Sequence, residues 1–388
     1  MPKNFLFVLS IFCLLISPTQ LPQPALAHTQ AAIPGAWRVE LIDRAPGDEN
    51  DPGILRYPSL VIDSNGVPQV MYSKGLEQET SNPLVYARKD GPAWVTQTIE
   101  TSGEKASLAL SSQQQPRAAF LDFAAASESL VFRNLDIAGG FRQVITDGIG
   151  AIQATTDLAL GSNDTPVVAF TQKTDGNNFN VWLATVQTTT LNVESAPVAE
   201  EVGSIASLAL GPANQVHLSY QDAASRTVKY ATRALTGTEW VSEMVSVSDT
   251  LNIAIPNSIA VDASATPHIV YIRFQPPTGL IYAKRTASGW VTETIAANAN
   301  LDFSFVLDKD GNPHVAYIEP FTRRLIYALR SNNAWTTTTA SSDATAYLSL
   351  ALDSSSQPSI AYTEFDTGNL KLARLYRGLV YLPYVRKP

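Results

Sequence analysis

A proline followed four residues later by an aromatic recurs along this chain at a nearly constant interval: Pro68/Tyr72, Pro116/Phe120, Pro166/Phe170, Pro267/Tyr271, Pro313/Tyr317 and Pro358/Tyr362, with Val216/Tyr220 filling the gap. Consecutive aromatics of this series lie 45 to 51 residues apart. Such a period marks a repeat architecture, in which each unit buries its faces only against copies of itself. Upstream of each anchor stands a short segment, SLVID, SLALS, DLALG, SLALG, SIAVD, SFVLD or SLALD, opening at Ser59, Ser107, Asp157, Ser207, Ser258, Ser304 and Ser349. Downstream come LVYA, LVFR, WLA, VKYA, LIYA, LIYA and LKLA, then a segment opening on Trp94, Phe141, Trp240, Trp290 or Trp335. The third unit, around Leu191 to Pro197, lacks that last aromatic.

Each unit therefore reads as four strands of about five residues with alternating side chains, joined by turns rich in Gly, Pro, Asn, Asp and Ser. Four antiparallel strands per repeat of this length predict an all-β fold, a seven-bladed β-propeller. The anchor aromatics and the tryptophans fill the gaps between blades, and the small Ser and Asp side chains stand where blades crowd toward the axis. The last unit runs out after its third strand, Leu370 to Arg374, and its missing fourth strand has a match at the other end of the chain. Gly35-Ala36-Trp37-Arg38-Val39-Glu40-Leu41-Ile42 repeats the pattern of Gly289-Trp290-Val291-Thr292-Glu293-Thr294-Ile295. An N-terminal strand is thus expected to complete the last blade and leave no open edge. The competing arrangement uses the C-terminal run Leu379 to Val385 as that strand; Pro383 removes a ladder donor and counts against it.

The domain limits follow. Residues 1–27 read as a signal peptide, with Lys3, an apolar run from Phe5 to Ile16 and Ala25-Leu26-Ala27 for cleavage. The propeller spans 28–377 and a tail spans 378–388. The apolar run is too short for a spanning helix, so no transmembrane anchor is expected and the protein is placed outside the cell or at its surface, as a monomer. Cys13, the single cysteine, falls in the leader, which excludes disulfides, thiolate metal sites and cysteine nucleophiles. Loss of Lys3 takes the formal charge from −8 to −9. With no dense Lys/Arg cluster, nucleic acid is excluded as a partner.

The units D-x-x-G-x-P-x-V-x-Y, as in Asp63 to Tyr72 and Asp308 to Tyr317, followed by L-[IV]-Y-A and a GW strand, resemble the repeats of secreted bacterial propellers of the broad sialidase-like or BNR-like group. The resemblance covers residues 35–375 and implies the fold. It does not extend to activity: the aspartate box S-x-D-x-G-x-T-W is absent, since Asp308-Lys309-Asp310-Gly311-Asn312 continues to Pro313 and His314. The arginine triad, nucleophile pair and proton donor that such enzymes use have no matching positions here. No catalytic residue is assigned.

His217, His268 and His314 each follow an anchor position in a different blade, too far apart to share a zinc ion. Asp308 to Asn312 has the look of a calcium loop but lacks the glutamate at its twelfth position, so it reads as a hairpin turn. The sequon Asn163-Asp164-Thr165 falls in another such turn. No metal or cofactor is expected. Two residues beyond each anchor aromatic the chain carries Lys74, Asp122, Gln172, Asp222, Arg273, Glu319 and Glu364, all polar and different in every unit. They end the second strand, on a face where loops open toward the channel mouth, and form the candidate ligand-binding rim. The function expected is non-catalytic binding of an extracellular carbohydrate or protein. A glycoside hydrolase of sialidase-like architecture, which needs two carboxylates about 5–9.5 Å apart, and an architectural surface protein are the alternatives.

Overall fold

The computed structural model describes residues 35–376 except 48–52, 77–81, 124–127, 136–139, 148–155, 174–178, 188–189, 197–201, 248–254 and 277. The expected leader and tail lie outside the described residues. Among those described, all regular structure is strand, 28 in number, and no helix is long and apolar enough to cross a membrane.

Each repeat forms an antiparallel meander in which the anchor strand takes second place. In repeat 5, Asn257–Val261 pairs with Pro267–Arg273, which pairs with Gly279–Thr286 and then Gly289–Ala296. The turn between the first two strands is built by an aspartate. Asp63, Asp262, Asp308 and Asp353 each accept two backbone N–H bonds through Oδ1, at 2.8–3.0 Å. That is Asx-turn chemistry, and it accounts for the calcium-like spelling of Asp308 to Asn312.

The first strands pack against one another in chain order, from Gly53–Ile62 round to Ala344–Leu352, which meets Gly53–Ile62 again. The circuit is tied at six of its seven seams by the small residue opening a first strand. Ser59 Oγ accepts the N–H of Leu108 at 2.9 Å, Ser107 that of Leu158 at 3.0 Å, and Asp157 Oδ2 that of Leu208 at 2.9 Å. Ser207, Ser304 and Ser349 do the same for Ile259, Leu350 and Leu60, the last bond at 3.0 Å joining the final repeat to the first. These residues are small, as expected, but each also supplies the acceptor that ties its repeat to the next.

Outside this belt, seven apolar clusters each join consecutive repeats. All seven anchor aromatics are buried in them, each burial stabilising by roughly 1.5–3 kcal/mol. The tryptophans work in a fixed stack. Trp290 meets Tyr230 of the preceding repeat edge-on at 5.4 Å, and Trp335 meets Tyr282 at 5.6 Å. Their Nε1–H groups donate to Glu243 and Glu293 of that preceding repeat at 3.2 and 3.1 Å.

The ring closes with the N-terminal strand. Ala36–Asp43 pairs antiparallel with Leu370–Tyr376, and Trp37 packs on Tyr327 at 5.5 Å, in the same stack as Trp290 and Trp335. The fourth-strand place that the tail was the rival for is therefore occupied. The other side of this strand continues the pattern: Glu40 accepts from Lys89 at 2.7 Å and from Trp94 Nε1 at 3.3 Å in repeat 1.

One expectation needs correction. Seven separate four-stranded sheets were expected, but the discrete four-stranded blades number five, and repeats 3 and 4 share one eight-stranded sheet. The cause is local. The first strand of repeat 4 starts early, at Val202, and that residue pairs with Phe179, the first residue of the third strand in repeat 3. The missing aromatic of repeat 3 does not abolish its fourth strand, because Leu191–Ala196 still pairs with Phe179–Val186.

Removing residues 28–43 should lower Tm by about 10 °C or more, since the last sheet then loses its outer strand and both seams it seals; an unchanged thermal melt would contradict the closure. A gain should also be available. Trp37 Nε1 is buried with no partner among the described residues, and the residue facing Tyr327 across the strand pair, where Glu243 and Glu293 face Tyr230 and Tyr282, is Thr338. Thr338→Glu should satisfy it and raise stability by about 1 kcal/mol, read by urea denaturation; no gain or a loss would refute that account.

Candidate functional site

In an antiparallel meander the second-to-third loops and the connections between repeats emerge on one face, and the remaining turns on the other. The rim residues all reach the first of these faces. Lys74 Nζ lies 2.7 Å from Asp43 Oδ2, which also accepts the Tyr72 hydroxyl at 2.7 Å, at the edge of a cleft of about 570 Å³ lined by Val85, Thr96 and Thr98. Asp122 meets Arg142 at 2.6 Å, and buried Asp222 pairs with Lys229 and accepts the Ser225 N–H at 2.8 Å. Glu319 meets Arg324 at 3.2 Å and the Thr322 hydroxyl at 2.7 Å, while Glu364 pairs with Lys371. Arg273 ends its strand opposite Gly279, and Gln172 lies one residue before the end of its own, opposite Asn180.

Each of the four rim acids thus meets a cation from its own repeat. Burial raises the carboxyl pKa of Asp222 and Glu364, but the ammonium groups of Lys229 and Lys371 outweigh it and hold both acids below the usual carboxylate range.

A second set of residues, not singled out from the sequence, lies nearer the axis. The first-strand ladder is irregular in four repeats. In repeat 4 it skips between Val202 and Ala206 without a left-handed residue among those described, and in repeats 1, 2 and 7 it carries a bulge between Arg56 and Ser59, Glu104 and Ser107, and Ala344 and Leu348. At each bulge a large residue takes a left-handed backbone: Tyr57 at φ 52°, Lys105 at 51° and Tyr347 at 53°. Bulges re-aim side chains, and these meet. Tyr57 and Tyr347 pack edge-on with centroids 4.6 Å apart, and Lys105 Nζ sits 5.8 Å from the Tyr57 ring. Asp302, at the same register in repeat 6, accepts the Tyr347 N–H. Asp302, Tyr347, Tyr57 and Lys105 therefore form an arc over four consecutive repeats. Burial raises the Asp302 carboxyl and the Tyr57 phenol and lowers the Lys105 ammonium, the last offset in part by Glu104 and Glu128.

The two faces differ in kind. On the turn face, the left-handed non-glycine residues are Gln114, Asp164, Asn214, Ala265, Asn332, Asn333 and Ser356, mostly ordinary turn formers. On the loop face they are Tyr57, Lys105, Arg226, Phe321, Arg323 and Tyr347. Large side chains in that conformation cost about 1–3 kcal/mol each, and such strain gathers at ligand sites.

The three histidines have structural partners. His217, His268 and His314 are buried, with Nδ1 at 2.7, 2.6 and 2.6 Å from the hydroxyls of Tyr230, Tyr282 and Tyr327. These are the tyrosines on which Trp290, Trp335 and Trp37 pack. In repeat 1, Gln69 takes the histidine's place and accepts the Tyr86 hydroxyl at 2.5 Å. Among the described residues no group of three or more His, Cys, Asp or Glu is placed to hold a metal ion.

No protein-family model and no curated protein matches this sequence. Solved structures do resemble it. A protein of unknown function from Dyadobacter fermentans aligns at TM-score 0.50 with 12% identity, over 89% of this chain and 100% of its own. The Ruminococcus gnavus intramolecular trans-sialidase aligns at 0.47 with 11% identity, over 85% and 96%. The Aleuria aurantia lectin aligns at 0.47 with 13% identity, over 73% and 94%. The first likeness is one of fold alone, and the other two are too loose to carry anything about ligand or activity.

Burial holds the imidazoles of His217 and His268 down to about 4, whereas unfolded histidine titrates near about 6.5. The stability contributed by neutral rings is therefore complete above about pH 6.5, declines as pH falls below it, and is fully lost below about 4. The doubly substituted His217→Gln, His268→Gln protein, built on the Gln69–Tyr86 precedent, should lose less Tm between pH 7 and 4 than the parent. Parallel curves would show that these rings do not set the acid limit.

Proposed function

We propose that this is an exported, non-catalytic propeller that binds a carbohydrate on its loop face, at the arc formed by Asp302, Tyr347, Tyr57 and Lys105. We read the ring as seven-bladed, counting the two halves of the eight-stranded sheet as blades because the circuit of first strands and the inter-repeat clusters both run to seven. Export is the reading of residues 1–27. The observation that carries the binding role is the Tyr57–Tyr347 pair. Two partly exposed aromatic rings are held in costly backbone conformations at the mouth of the ring, flanked by an ammonium and a carboxyl group. An aromatic face with polar groups around it complements a sugar, whose ring offers C–H bonds on its faces and hydroxyls at its edge.

Binding is favoured over hydrolysis by the state of the rim acids. A glycosidase needs two carboxyl groups facing one another across the substrate, one of them kept protonated. Here each of the four rim acids is paired with a cation of its own repeat, and Asp302, the one carboxyl of the arc, is raised by burial but meets the Tyr347 N–H.

Glycan-array screening of the full chain should reveal binding that Tyr57→Ala and Tyr347→Ala each weaken by about tenfold, with Asp310→Asn, an exposed change on the turn face, close to the parent. Two tyrosine variants that bind like the parent would rule out the arc, and turnover of any bound glycan would rule out the non-catalytic role.

A further inference from the structure

We infer that the loop face carries an extended track for a linear, uncharged oligosaccharide, running from the Tyr57–Tyr347 pair outward over repeats 7 and 6; the inference rests on the carbohydrate reading above. The track is made by two neighbouring second-to-third loops. In repeat 6, Phe321 is fully exposed at φ 66°, and Arg323 follows at φ 58°. In repeat 7, Phe365 is 45% exposed, and the Arg323 guanidinium carbon lies 3.3 Å from its ring centroid. Asp366 steadies that guanidinium at 3.3 Å. A fully exposed phenylalanine in a left-handed conformation gains nothing from the fold, since neither its ring nor its backbone is in a favourable setting.

Backbone bonds fix this pair of loops to the arc. Ala344 N–H donates to the Arg323 carbonyl at 3.0 Å, and Phe365 N–H to the Asp343 carbonyl at 2.7 Å. Ala344 opens the strand that carries Tyr347; Ala344 faces Glu364 and Leu348 faces Tyr362, so across the bulge the strand advances by about two residues' rise, roughly 7 Å, between these loops and Tyr347. A single sugar is no wider than the phenyl ring it stacks on. Tyr347, Phe365 and Phe321 offer separate rings on a strand and two loops, which a chain of several sugars can engage together.

Charge selects the kind of chain. Arg323 is matched by Asp366, Arg324 by Glu319, and Lys371 by Asp343 and Glu364. With every cation along the track answered by a carboxylate, no excess charge awaits an acidic or basic sugar. Glu319 and Glu364, at the roots of the two loops, serve here as braces: Glu319 accepts the Thr322 hydroxyl and Glu364 the Asn369 amide at 3.3 Å.

The test is calorimetric titration of the full chain with malto-, cello-, chito- and manno-oligosaccharides, each series from monosaccharide to hexasaccharide, with glucuronic-acid oligomers alongside. In one neutral series affinity should rise at least tenfold from the monosaccharide to the longer members. The Phe321→Ala, Phe365→Ala protein should lose that rise while keeping monosaccharide affinity; Phe321 is wholly exposed, so Phe321→Ala alone gives a variant whose fold is not at risk. A flat length dependence, an unchanged rise in the Phe variants, or preference for the acidic oligomers would overturn the track while leaving the arc in place. Loss of binding in Tyr57→Ala but not in the Phe variants would localise binding to the arc alone and likewise overturn it. Absence of binding in all series would overturn both readings.

Discussion

The hydrogen bond from a backbone N–H in one first strand to the serine opening the previous one holds the arrangement together. A propeller sheet has two edges, and its inner edge would otherwise present unpaired donors to the channel. At five seams a serine hydroxyl, and at a sixth the Asp157 carboxylate, answers one such donor, and the bond also sets how far each of those sheets advances relative to the last. Apolar packing between sheets is strong but slippery, because burial is non-directional. The serine supplies the direction. Asp157 is the variant in this belt: its carboxylate reaches both Leu208 N–H and the Ser207 hydroxyl, at the cost of a carboxyl pushed upward by burial. Asp157 stands at the junction of repeats 3 and 4, where the two sheets merge.

Much of this was legible in the sequence, and for a physical reason. A repeat reports each position seven times, so Tyr72, Phe120 and Phe170 corroborate one another where a single buried aromatic would say little. The match of Trp37 to Trp290 disclosed the closure in the same way, because the stack of His, Tyr and Trp is rebuilt at each of those seams. What stayed hidden is what departs from the repeat. The merging of two sheets turns on one extra pair at Val202, and the arc depends on bulges at Tyr57, Lys105 and Tyr347. A bulge alters backbone geometry without a characteristic side chain, so it leaves no mark in the pattern. The available signal was variability in register: two residues before the belt stand Tyr57, Lys105, Thr155, Ile205, Pro256, Asp302 and Tyr347. The rim residues were chosen by that same logic, and their acids turn toward cations of their own repeats, which spacing along a strand does not reveal.

The two faces of the ring differ in backbone strain. The turn face uses Asp, Asn and Gly where the chain must reverse, and several of its side chains cross to the next turn, as Asp164 does to Ser112. The loop face tolerates tyrosine, lysine and phenylalanine in conformations they disfavour. That tolerance depends on the rigidity of the rest, since a strained residue persists only where its surroundings over-determine it.

The bond between Ser349 and Leu60 spans 289 residues of chain, and the N-terminal strand finds its partner only in the last repeat. Until that repeat is made, the outer strand has nothing to pair with, and the first and last sheets each expose a face. Loop closure of this length is slow to achieve, and the same topology makes the finished ring slow to open, because no sheet can leave without breaking two seams together. The strand Ala36–Asp43 and the last repeat thus act as a clasp.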